Sequence, residues 1–282
     1  MNHPIAIIAR LTFREAVRRR IVLAAILLGV GFLIIYSIGF HMIISQVRSV
    51  QATGSMVEIV NRESMNFLFL AGLYTIMFLS IAMAALLASD TLAGEISTGT
   101  VQTIATKPIH RMDVVLGKWL GFSGLLGLYL LLMAGGVTAS VYLQAGYIAP
   151  NVPAGILLMY MEALLIMSVA LMCSSRLTAL ATGAVVFGLY GLSFIGGWVE
   201  QIGSLAQNQT AINVGIVTSL IIPSEALWRR AAYEMQSALS GALGVSPFGT
   251  LSVPSPAMIV YAVLYTGIAL FLAVRVFSRR DL

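Results

Sequence analysis

The chain has 282 residues, of which 59% are hydrophobic and only 10% charged. A soluble domain carries about 25% charged residues, so the composition excludes an ordinary soluble enzyme and points to an integral membrane protein. The net charge of +5 does not indicate nucleic acid as a partner, because the basic residues gather at the ends of apolar stretches, where membrane topology accounts for them.

Residues 1–20 form a basic amphipathic segment. Arg10, Arg14 and Arg18 recur every four positions and so share one helical stripe, with Ile5, Ala9, Thr12 and Ala16 on the opposite side. This pattern predicts an interfacial helix with its apolar face in lipid and its arginines at the headgroups. The apolar run that follows is too long for a signal-peptide core and has no clean small-residue cleavage site, so it reads as a retained first span.

Six segments reach the roughly 20 apolar residues that a bilayer crossing takes. They lie near 21–41, 66–88, 117–142, 154–174, 178–199 and 257–277. The expected fold class is an all-α integral membrane protein with six transmembrane helices, a single transmembrane domain over 1–282. The second span carries Phe67, Tyr74 and Phe78 on one helical face, and the fifth carries Phe187, Tyr190, Phe194 and Trp198 on another. The third span brings Gly117, Gly121, Gly124 and Gly127 to neighbouring turns, a pattern that lets helix backbones approach in lipid. Glu162 is the one carboxylate deep in a span. It must face protein or a water path, and be paired, hydrated or neutral, because a bare charge there costs at least a few kcal/mol.

Residues 89–118 are a long polar stretch bounded closely by spans. Ser89 or Asp90 suits a helix cap, Glu95 falls in a short helix that Gly99 can end, and Pro108 fits the first turn of the next helix. This punctuation predicts an ordered hairpin with a docking surface. Residues 200–256 form the long region on the opposite side. In it, 211–222 is apolar but too short to span and reads as re-entrant or interfacial. Pro223 and Ser224 open a helix expected to run to Leu239, and 241–256, rich in Gly, Ser and Pro, reads as a loop.

With the N-terminus cytoplasmic, twelve of the lysines and arginines fall inside and four outside (Arg48, Arg62, Arg229, Arg230). This bias orients both termini and the 89–118 hairpin toward the cytoplasm.

No catalytic signature is present. There is no G-x-x-x-x-G-K-[ST] phosphate loop, and no nucleophile–base pair emerges from spacing. His3, His41 and His110 are scattered, and the single cysteine, Cys173, gives neither a disulfide nor a cysteine metal site. The fourteen methionines lie mostly in spans, where methionine is packing material. The chain is expected to be no enzyme and to hold no metal or cofactor.

Glu95-x-x-x-Gly99-Thr100 followed by Pro108, Arg111 and Lys118 resembles the cytoplasmic loop of type-2 ABC transporter permeases. The basic N-terminus and the closing Phe277-Ser278-Arg279-Arg280-Asp281-Leu282 are similar to that family as well. Pro223-Ser224-Glu225-Ala226-Leu227-Trp228-Arg229 resembles the external motif of the branch serving multicopper and nitrous-oxide-reductase maturation. The resemblance implies a homodimer or heterodimer of six-span subunits in a prokaryotic inner membrane. Each would carry a separate ATP-binding subunit that holds ATP and magnesium. It makes 89–118 the coupling helix, with Asp90, Glu95, Gly99, Thr100, Pro108, Arg111 and Lys118 as the ATPase-coupling residues. It sets the second and fifth spans along the cargo path, with Tyr74, Phe78, Phe187, Tyr190 and Phe194 meeting across the two-fold axis. The implied function is export of a hydrophobic or amphipathic cargo. The alternative is mechanotransmission to an external accessory protein without moving a solute. A third reading is a channel or carrier that needs no ATPase.

Overall fold

The structure is a computed structural model that describes residues 4–49, 55–97, 110–237, 248 and 252–279, with the side chains of 47–49, 55–58 and 92–97 excepted. The described elements are α1 (Pro4–Val17), α2 (Arg20–Ser49), α3 (Ser55–Ser97), α4 (Arg111–Ala145), α5 (Val152–Ser174), α6 (Ala179–Leu205), α7 (Gln209–Ile221), α8 (Ser224–Met235) and α9 (Pro256–Ser278). No strand occurs among the described residues. Six of these helices, α2 to α6 and α9, are long and apolar enough to cross a bilayer. The chain is an all-α integral membrane protein.

The core forms around α5. Its sequence is apolar on all sides, as suits a helix surrounded by others, and it packs on α3, α9, α8, α4 and α6. Met159, Ala163, Ile166, Met167, Ala170 and Leu171 are fully enclosed there. By contrast, α2 and α9 show most of their surface. Leu27, Ile35, Val260 and Phe271 are each at least 60% exposed, as expected of helices that face lipid tails.

Both ends of the bundle are pinned by polar contacts. At one end, Arg19 meets Asp90 at 3.5 Å, and Arg111 donates to the carbonyls of Phe277 and Ser278 at 3.4 and 3.2 Å. This terminal end gathers the start of α2, the polar end of α3, the start of α4 and the end of α9. At the distal end, Gln144 donates to Ser37 Oγ at 3.0 Å. Asn66 donates to Tyr147 Oη at 2.8 Å and to the Met235 carbonyl at 2.9 Å. Burial pushes the Tyr147 hydroxyl above its ordinary pKa, with the Asn66 contact opposing. Gly146 stops α4 in the left-handed region (φ 67°), and its N–H is donated to the Tyr142 carbonyl.

Four expectations are corrected. First, α3 does not break at Ser89 or Asp90 and runs to Ser97 as one helix. The Ser89 hydroxyl donates back to the Ala85 carbonyl at 2.6 Å, and that of Thr91 donates to Leu87. The hydroxyls that could have capped a new helix are spent inside the old one. Glu95 therefore sits on the extension of the second span. Second, the Thr12–Ala16 face of α1 does not lie in lipid. It is buried on α4, where a Cβ on Gly121 would come within 2.7 Å of the Ala9 carbonyl oxygen. The glycines of the third span do allow a close approach, and the neighbour is α1. Third, α8 ends at Met235, short of Leu239. Gln236 is extended (ψ 153°), and Ser237 is drawn to α3 through its N–H on Asn66 Oδ1 at 3.2 Å and its hydroxyl on Glu63 Oε2 at 2.7 Å. Fourth, the aromatic stripes of α3 and α6 meet within one chain, as the site geometry shows.

Candidate functional site

The polar stretch 89–118 is described at its two flanks. Asp90 is exposed on α3, ahead of the helix end at Ser97, and receives Arg19, which also bonds Glu15 at 2.7 Å. Lys118 is buried against the bundle at 5% exposure. Arg111 opens α4 and satisfies the last carbonyls of α9, which carry the negative end of that helix dipole. Its engagement is thus with the last span. The side chain of Glu95 and all of Gly99, Thr100 and Pro108 lie outside the described residues.

The aromatic residues do assemble. Phe78 of α3 and Tyr190 of α6 have ring centroids 6.3 Å apart, and Tyr74 and Phe194 are likewise 6.3 Å apart. Tyr74 also packs on Trp228 of α8 at 4.9 Å, and Phe194 on Trp198 at 6.4 Å. An aromatic seam of two ring groups, Phe78 with Tyr190 and Tyr74 with Phe194, therefore lies along the α3–α6 contact. Phe78 is half exposed on its flank. Toward the terminal end the seam opens into a groove of about 510 Å³ whose walls include Leu86, Ser89 and Asp90 of α3 and Leu180, Gly183 and Phe187 of α6. Its surface is apolar apart from Ser89 and Asp90. One concavity thus joins Phe187, a residue of the aromatic stripe, to Asp90, a residue of the polar stretch.

At the distal end, α7 and α8 form a hairpin bent by 108°. Ser193 of α6 supports the bend: its hydroxyl donates to the Ile222 carbonyl at 3.0 Å and accepts the Glu225 N–H at 3.1 Å. Two unpaired backbone groups at the break are satisfied by one side chain. Close packing continues along α6, where a Cβ on Gly197 would stand 2.2 Å from Glu225 Cγ. The hairpin thus forms a wedge against α5 and α6. Arg229 is 1% exposed and is paired with Glu200 of α6 at 2.6 Å. Ser252 donates to Glu200 Oε1 at 2.6 Å. Glu162, 1% exposed, faces protein from α5 and lies within electrostatic reach of Glu225.

This buried ionic cluster was missed as a site by sequence reasoning, which placed Arg229 among the polar residues of an external helix. The sequence signal was slight: Glu225 and Arg229 are spaced by four on one short helix.

A family model described as ABC-2 family transporter protein matches residues 6–282. A search among curated proteins found no match.

Proposed function

The chain belongs to the ABC-2 transporter family, a permease subunit that works with a separate ATP-binding subunit, and from that premise we propose that it exports a hydrophobic or amphipathic cargo along the α3–α6 seam. The observation that carries this reading is the groove joining Phe187 to Asp90. It connects an apolar, aromatic path to the polar stretch that the ATP-binding subunit would move. The unbroken α3 gives a direct mechanical route: a push on Glu95 is a push on the helix that bears Tyr74 and Phe78.

In this reading 89–118 docks on the ATP-binding subunit, which binds ATP and magnesium. Asp90, Glu95, Gly99, Thr100 and Pro108 belong to the docking segment. Arg111 and Lys118 anchor its return into α4. The positive end of the bundle faces the cytoplasm of a prokaryotic cell. A second copy of the chain completes the path across the exposed flank of the seam, where Gly188 and Gly191 of α6 have open space beside them.

The test is reconstitution of the chain with its ATP-binding subunit in vesicles. Labelled lipids and hydrophobic cations would be offered as cargo. ATP-dependent movement of one of them, slowed several-fold by Phe187→Ala and uncoupled from hydrolysis by Glu95→Ala, is the expected result. A complex that hydrolyses ATP and moves no solute, but remodels a bound external protein, would replace export with mechanotransmission.

A further inference from the structure

The wedge buries more negative charge than positive. Glu162 of α5, Glu200 of α6 and Glu225 of α8 are 1%, 4% and 2% exposed, and the one guanidinium buried with them, Arg229, is 1% exposed. Arg229 is committed to Glu200 through two short contacts, 2.6 Å from Nη1 and 2.9 Å from Nη2. Glu225 lies one turn before Arg229 on α8 and senses its charge, but its Oε2 has no hydrogen-bond partner. Glu162 senses Glu225, and its own Oε2 is also buried without a partner. Nearby, the half-buried Tyr74 of α3 faces both carboxyls and turns its hydroxyl toward Trp198 of α6.

Among the described residues, the surrounding elements supply no further cation to the cluster. From α3 the facing titratable group is Tyr74, and from α6 they are Tyr190 and Glu200. From α8 they are Glu225 and Arg229. The charges of α4 and α9, namely Arg111, Asp113, Lys118 and Arg275, stand at the opposite end of the bundle. Tyr129 of α4 is turned to the Ala25 carbonyl, and Tyr261 of α9 to that of Leu220. Two ionised carboxylates within each other's field in such a place would repel each other, and each would leave a buried oxygen without a donor. The Glu225 side chain is also pressed across Gly197, so the missing positive charge has to come in little volume.

We propose that Glu162 and Glu225 form a proton-binding site that holds a proton while the wedge is seated against α5 and α6. The step is a simple protonation: a carboxylate oxygen takes a proton from hydronium and leaves water. When α8 moves away and water reaches the pair, both carboxyls ionise and the proton returns to the bulk. The seated wedge binds more protons than the displaced one, so acid favours seating and alkali opposes it. This inference rests on the packing of the wedge and not on the export reading.

The experiment is infrared spectroscopy of the full chain in lipid nanodiscs, with and without ¹³C-labelled glutamate. At neutral pH, in sodium- and potassium-free buffer, a glutamate carbonyl band of the neutral carboxyl type is expected. It should shrink in Glu162→Gln and in Glu225→Gln and survive addition of either cation. Absence of that band in the wild-type chain at neutral pH overturns the proposal, even if the variants fail to fold. Loss of the band on adding sodium or potassium overturns it in favour of a metal cation. In parallel, thermal stability of the wild type should fall between neutral and alkaline pH, and Glu162→Gln should flatten that fall. An unchanged slope in the variant counts against the pair as its source.

Discussion

Arg229 shows how far a single side chain can depart from what its chemical class suggests. An arginine on a short polar-looking helix is expected in water, yet it is among the largest fully enclosed side chains of the bundle. Its partner Glu200 is 29 positions away in the sequence, on a different helix. Nothing local in the sequence links the two, so the pair could not be read from spacing. Removing one member leaves the other as an uncompensated buried charge, a loss of about 3–5 kcal/mol. Arg229→Ala should therefore lower the melting temperature of the detergent-solubilised protein sharply, and a melting curve equal to wild type would contradict the pairing. The partners of Arg111 were not legible in the sequence, since the carbonyls of Phe277 and Ser278 come from the far end of the chain. Arg111→Ala should loosen the end of α9 at a cost on the order of 1 kcal/mol. Faster hydrogen exchange at 275–279 would show it, and unchanged exchange there would place the role of Arg111 elsewhere.

Elements were legible to the degree that their length and apolarity decide them. The spans were recovered because an apolar run of bilayer length has few alternatives to a helix. Their ends were less legible. Ser89 and Asp90 signal a cap equally well whether the helix starts or continues, because the serine hydroxyl can turn to the carbonyl four residues back. The contact of α1 with α4 depends on both helices being present, though the glycine spacing hinted at a close neighbour. Leucine at 121 would have to displace the Ala9 carbonyl and Thr12, and overpacking of this kind costs about 1–3 kcal/mol. Gly121→Leu should therefore reduce the yield of folded protein and detach α1, measured as new protease sensitivity within 4–17. Full yield with an intact α1 would refute that packing. The aromatic seam makes its own prediction. In a chain lacking Cys173, Phe78→Cys with Tyr190→Cys should cross-link within one chain by a short bifunctional reagent. Cross-linking only between chains would mean that the two stripes face each other across a dimer.

At the scale of the molecule, the bundle has two differently built ends. The terminal end is tied by Arg19–Asp90 and by Arg111 on α9, and it opens into the groove between α3 and α6. The distal end is filled by the bent α7–α8 wedge, whose Trp228 closes on Tyr74. One helix, α3, runs through both. A permease driven from one side needs such an element, and the proposed coupling follows from it: force entering near Glu95 reaches the seam without crossing a hinge. The most direct measurement is site-specific photocross-linking in native membranes, with the reactive group placed at position 95, 100 or 108, followed by mass spectrometry of the adducts. Capture of an ATP-binding subunit at these positions, altered by ATP and absent when the group stands at position 147, is the predicted result. Labelling of lipid alone at all three positions, with no ATP-binding protein recovered, would contradict the account.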